Sequence, residues 1–229
     1  MAIKIELEKF DNINFTASQF IQRVDDKFKT ICGDHDYGKF ARARGSHREL
    51  KRFIEEILPL QKYILFRLRN GMAAETIKWM NNNQRKQSNQ KGDAILNSNE
   101  TIEITVAEHE NEYIVREHMN KGNPTFGADG ASKKKGATKS VPVCKTPQDC
   151  INAHTKMLKD AINKKLKKYN SLGSLVIYLN QDGLLTKDEF ISVIENIEGA
   201  LSSVKQIDHV FIWSFQHEAL INCKRKSMR

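Results

Sequence analysis

The sequence predicts an α/β domain in which a mixed central sheet is flanked by helices and the N-terminal half is helical. Three observations lead there. Apolar residues recur at helical intervals through the first half, the pattern switches to period two between residues 93 and 107, and the last third alternates β-branched runs with amphipathic segments. At 229 residues the chain is expected to form one domain, with a mainly helical part over 1–90, a sheet-containing core over 91–215 and a flexible basic loop over 120–147.

"TASQFIQRVDDKFKTIC" sets Phe20, Ile21, Val24, Phe28 and Ile31 at helical intervals. In "SHRELKRFIEEILPLQKYILFRLRNG", Ser46 and Glu49 have capping-box spacing, and Leu50, Ile54, Ile57, Gln61, Ile64, Leu65 and Leu68 trace one stripe. Pro59 has no N–H to donate, so the helix should kink or split there, and Gly71 should end it. "MAAETIKWMNN" then reads as a further short helix, and "NNNQRKQSNQKG" as a polar loop. Strands are expected near Asp93 to Asn97 and Thr101 to Ala107, joined as a hairpin by "NSNE". "ENEYIVREHMN" reads as a helix, whereas "KGNPTFGADGASKKKGATKSVPVCKTP" has too little apolar surface to pack. The helix "QDCINAHTKMLKDAINKKLKKY", the strand "SLVIYLN", the helix "TKDEFISVIENIEGALSSV" and the strand "HVFIWSF" follow, which predicts a right-handed crossover onto a sheet.

The net charge of +9 favours polyanionic partners. Basic residues cluster in "KFARARGSHRELKR", "SKKKGATK", "NKKLKK" and "CKRKSMR". Such clusters are either solvated surfaces or the walls of a groove that neutralises phosphates. No apolar run nears the ~20 residues of a bilayer crossing, and "MAIKIELEKF" has no signal-peptide core, so a cytoplasmic protein without membrane contact is expected. The four cysteines show no CxxC spacing, which argues against a zinc site or disulfide framework. "NQDGLLTKDEF" imitates part of an EF-hand loop, but its first ligand position would be Tyr178 and a strand-like run precedes it; Thr186 and Glu189 read instead as a capping box. "HENEY" lacks the second histidine of HExxH, and no phosphate loop or GxSxG elbow is present.

The hairpin carries the sharper signal. Pairing across "NSNE" brings Asp93, at the head of the first strand, toward Glu103 in the middle of the second. Two convergent carboxylates are what Mg²⁺ (or Mn²⁺) needs beside waters and phosphate oxygens. The plainer alternative keeps Ile102, Ile104 and Val106 in the core and leaves Glu103 and Thr105 on a solvated face. On the later helix, Ile151, Leu158, Ile162, Leu166 and Tyr169 form a buried stripe with Lys165 at its edge. A lysine there either snorkels to water or meets an acid. His154 shares that edge and reads as a core histidine.

In these features the chain resembles the PD-(D/E)xK nuclease superfamily, whose restriction-endonuclease-like fold begins one strand with an acid and carries a D/E-x-K triplet on the next. Asp93 in "GDAIL" and Glu103 in "IEIT" match the two acids, while Gly92 stands for the usual proline and Thr105 for the lysine. The resemblance spans roughly residues 46 to 215 in element order. It implies a metal-dependent nuclease cleaving DNA or RNA, with Asp93 and Glu103 as metal ligands and Lys165 supplying the missing lysine from a neighbouring element. It also implies an optional metal-binding acid on the preceding helix, for which Glu49 and Glu56 are candidates, although a cap explains Glu49 equally. Lys133, Lys134, Lys135 and Lys139 would then hold the nucleic-acid backbone. Thr105 favours the alternative, a catalytically inactive nucleic-acid-binding or protein-interaction module of the same fold. An unrelated small-molecule activity is the third possibility.

Overall fold

The computed structural model describes Phe10 and residues 13–33, 51–80, 92–108, 146–180 and 185–223. Its elements are β1 (Asn14–Thr16), α1 (Ala17–Gly33), a π-helical turn (Phe53–Ile57), α2 (Leu58–Arg69), β2 (Thr76–Trp79), β3 (Ala94–Leu96), β4 (Glu100–Ala107), α3 (Pro147–Leu166), β5 (Leu172–Leu179), α4 (Lys187–Leu201), β6 (Ile207–Trp213) and β7 (Glu218–Asn222). The strands form one seven-stranded sheet in chain order. β1 to β4 pair antiparallel, β4–β5 and β5–β6 pair parallel, and β7 returns antiparallel. The α/β class and the mixed sheet therefore stand.

Two apolar layers cover this sheet. Even-numbered residues of β4 and β5 such as Ile102, Ile104 and Val176 pack with Phe20 and Val24 of α1 and with Leu60 and Ile64 of α2. Leu175 and Ile177 pack on the other face against Leu158 and Ile162 of α3 and Val193 and Ile197 of α4. Burial on both faces makes β5 continuously apolar rather than alternating.

Local chemistry sets the element ends. Thr16 and Gln19 cap α1 reciprocally, Gln19 N donating to Thr16 Oγ1 at 3.2 Å and Thr16 N to Gln19 Oε1 at 3.0 Å. Helical backbone runs from Lys51 to Arg69, and Pro59 is accommodated by the π-turn before it, where Leu58 N donates to Phe53 O. The helix is re-phased there rather than split. Gly71 ends α2 with φ +66°, as Met72 N reaches back to Arg67 O at 2.9 Å. Capping boxes open α3 at Thr146 and Asp149 and α4 at Thr186 and Glu189. Glu189, suggestive of calcium in the sequence, is thereby used as a cap.

The helix expected at "MAAETIKWMNN" is a correction: Thr76–Trp79 is strand β2, with Ile77 and Trp79 buried. Ala73, Ala74 and Glu75 favour helix locally, but Asn97 of the β3–β4 turn holds this segment extended. Its Oδ1 accepts from Glu75 N at 2.7 Å, its Nδ2 donates to Ala73 O at 3.2 Å, and its amide donates to Thr76 O at 2.8 Å. Together with β1, β2 brings Asn14–Thr16 and Thr76–Trp79 into the sheet. β7 also extends the sheet past residue 215.

Candidate functional site

The hairpin register is Ala94↔Ile102, Ile95↔Thr101 and Leu96↔Glu100. The paired register ends at Ala94, and Asp93 bonds to β4 beyond it. Asp93 N donates to Ile102 O at 2.7 Å, and Asp93 Oδ2 accepts from Ile104 N at 2.6 Å. The carboxylate thus stands in for a backbone acceptor and lengthens the ladder beyond β3. Gly92 precedes it with φ +114°, and a Cβ there would meet Ile102 O at 2.9 Å. Proline, fixed near φ −65°, has no access to that conformation, which accounts for the glycine where the resembled motif has proline.

Glu103 lies on the α3 side of the sheet. It is 2% exposed, which overturns the solvated-face alternative. Lys165 Nζ donates to Oε1 at 2.6 Å, Tyr169 Oη donates to Oε2 at 2.6 Å, and Lys168 Nζ reaches Oε1 at 3.4 Å. Burial pushes the Glu103 carboxyl up, but the bond and charge of Lys165, the Tyr169 hydroxyl and the charge of Lys168 prevail and hold it below its ordinary value. The Lys165 side chain is 15% exposed and that of Lys168 61% exposed, so one cation is shut in and the other reaches solvent.

Helical spacing explains the cluster. Lys165, Lys168 and Tyr169 stand at i, i+3 and i+4, and Tyr169 N to Lys165 O at 3.0 Å keeps the turn helical past the end of α3. Sequence reasoning brought Lys165 to Glu103 but left Tyr169 in the stripe and Lys168 on a flank. That i, i+3, i+4 pattern was the available signal. His154 is buried with Nδ1 2.8 Å from Cys150 O, as expected of a core histidine. Glu56 lies in the π-turn, 4.0 Å from Arg52 Nε. Glu49, Lys133, Lys134, Lys135 and Lys139, with the helix expected at "ENEYIVREHMN", lie outside the described residues.

A second polar cluster was not read from the sequence. On the α2 face, Glu100 accepts from Arg67 Nη1 and Ser174 Oγ, each at 2.5 Å, and from Tyr63 Oη at 3.2 Å. Tyr63 Oη is also 2.8 Å from Ser174 Oγ. Burial, followed by the charge of Glu100, pushes the Tyr63 hydroxyl up to about 12, so it remains a neutral donor. No local signal marked Glu100, which reads as a turn residue.

Among the described residues, no three His, Cys, Asp or Glu side chains gather into a metal-holding group. A Mg²⁺ site does not require three, since one or two carboxylates with waters and phosphate oxygens suffice. Asp93 and Glu103 fit that requirement in donor type, as two buried carboxylates of one hairpin. No protein-family model, no curated protein and no solved structure matches the chain.

Proposed function

We propose that the protein is a metal-dependent nuclease of restriction-endonuclease-like fold. The observation that carries this reading is the ion pair between an acid of the hairpin and a lysine of α3, with a second acid at the head of β4's partner strand. Lys165 Nζ lies 2.6 Å from Glu103 Oε1, and Asp93 Oδ2 accepts from Ile104 N, the residue after Glu103, at 2.6 Å. The order helix, antiparallel strands with two acids, helix and parallel strand supports it, as does the net charge of +9.

Asp93 and Glu103 would hold Mg²⁺ or Mn²⁺, which when bound polarises a phosphodiester and activates a water. The remaining chemistry belongs to the chain. Lys165 supplies, from α3, the cation that the resembled motif carries where Thr105 stands, and it offsets charge developing on the phosphate. Tyr169 fixes the rotamer of Glu103 through Oε2, leaving Oε1 to the cations. Lys168 reaches from solvent to the same oxygen, so it can exchange Glu103 for a phosphate without unfolding the site.

Asp93→Asn is the sharpest probe, because an asparagine carbonyl can still accept from Ile104 N while the charge is gone. Plasmid, linear and single-stranded substrates should be cleaved with Mg²⁺ or Mn²⁺ and not with EDTA, and Asp93→Asn should abolish cleavage while keeping its fold. Wild-type protein without metal-dependent cleavage, or an active Asp93→Asn, would overturn the nuclease reading. Near-complete burial of Glu103 among its donors favours a second reading, an inactive nucleic-acid-binding module in which the cluster only fastens α3 to β4. Binding without cleavage is the result that reading requires.

A further inference from the structure

Strand β7 closes one side of the sheet, and among the described residues nothing pairs with its outer edge. The direction of its backbone groups follows from the bonds at its two ends. Ser214 N donates to His217 O at 2.8 Å and Cys223 N donates to Asp208 O at 2.9 Å, within the register Phe211↔Leu220. Because bonding alternates along an antiparallel pair, Ala219 and Ile221 turn their N–H and C=O groups to β6. Glu218, Leu220 and Asn222 turn theirs outward. An edge left this way is a template for another strand.

We propose that the edge pairs with itself, so that the protein forms a two-fold dimer through antiparallel addition of β7 to β7 of a second copy. The outward positions are symmetric about Leu220. A two-fold axis there sets Leu220 against Leu220 of the second copy and sets each Glu218 against Asn222 of the other. The side chains at those positions are complementary. Asn222 Oδ1 is taken by His209 Nδ1 at 2.8 Å, which leaves the amide NH₂ to donate, and Glu218 is an anionic acceptor held in place by Arg69 at 2.8 and 2.9 Å. On the other face of the sheet, Phe190, Ile191 and Ile194 border a cavity of about 650 Å³ beside the edge, and Ile191 is 44% exposed. A strand from an unrelated partner would meet the backbone groups but not this paired polar pattern.

Light scattering on the full chain across a concentration series tests the proposal. The mass should rise toward twice 26.3 kDa. Asn222→Glu places a carboxylate against Glu218 of the second copy at both ends of the pair, and Asn222→Lys places an ammonium there. Asn222 is exposed, so both variants should fold. Asn222→Glu should weaken the dimer and Asn222→Lys should preserve or tighten it, with dissociation constants on the order of tenfold apart or more. A monomer at every concentration overturns the proposal. So does a dimer on which the two substitutions act alike.

Discussion

Glu103→Gln tests how the candidate site is held together. Glutamine keeps the length of the side chain but offers one acceptor oxygen where Glu103 uses two. If the amide carbonyl takes the Tyr169 hydroxyl, the NH₂ confronts the Lys165 ammonium, donor against donor. One charge-assisted bond is lost, about 1.5–3 kcal/mol, and removing one partner from a buried ion pair costs about 3–5 kcal/mol in all. The residual exposure of Lys165 and the wide exposure of Lys168 let water screen both cations, which places the expected loss near the bottom of that range, about 3 kcal/mol. The sign with pH follows from the lowered Glu103 carboxyl. Its stabilisation is fully present above the carboxyl value of the unfolded chain and is lost as pH falls through the lower folded value. Urea unfolding of parent and variant should therefore differ most near neutral pH, and the gap should close in acid. A difference under about 0.5 kcal/mol at neutral pH, or one that stays constant as Glu103 is protonated, would refute this account of the cluster.

Lys165→Met removes the ammonium and keeps the apolar stem; nuclease assays beside Asp93→Asn should show cleavage falling by orders of magnitude, and Thr105→Lys should restore part of it if β4 and α3 face one cleft. In the same variant the Glu103 carboxyl loses its main cation, so the acid unfolding limb should move to higher pH in a denaturation series. Neutralising Lys133, Lys134 and Lys135 together should weaken binding to many sequences alike and flatten the dependence on salt, read by fluorescence anisotropy; unchanged affinity would remove that segment from the interface. Asn97→Ala removes the side-chain bonds to Glu75, Thr76 and Ala73 and strains a residue at φ 51°, so a stability loss of about 2 kcal/mol is expected in urea unfolding.

Much of the fold was legible wherever one apolar face repeats over several turns or rungs. The stripe of α1, the alternation of β4 and the apolar run of β5 each state their own structure, because burial on a helix or sheet selects a residue spacing. β2 was not legible, since four residues give too few repeats to outweigh the helical preference of Ala73 and Ala74, and the deciding bonds come from Asn97, about twenty positions later. β7 was illegible for a related reason. Its identity depends on pairing with β6 rather than on its own short pattern. At the site, Asp93 and Glu103 were readable through the hairpin, and Lys165 through the helical stripe. Tyr169 was counted as packing because a phenol at a buried position signals an apolar ring before it signals a hydroxyl donor.

β4 carries acids on both of its faces, and the contrast between them argues which one belongs to a site. Glu100 faces α2, where a guanidinium, a serine hydroxyl and a tyrosine hydroxyl surround it. Its cross-strand neighbour is Leu96, so no second acid stands by to share a cation. Arginine keeps its charge at any working pH, and Tyr63 is held neutral; this cluster therefore fastens α2 to the middle of the sheet in one protonation state. Glu103 faces α3 with a different set. The acid Asp93 accepts from Ile104, the next residue of β4, and one of the two cations on Glu103 is open to solvent. A structural clamp is served by either arrangement. The second alone sets a buried carboxylate beside a lysine that solvent reaches, and that is the property which the proposed reaction at a phosphate would use.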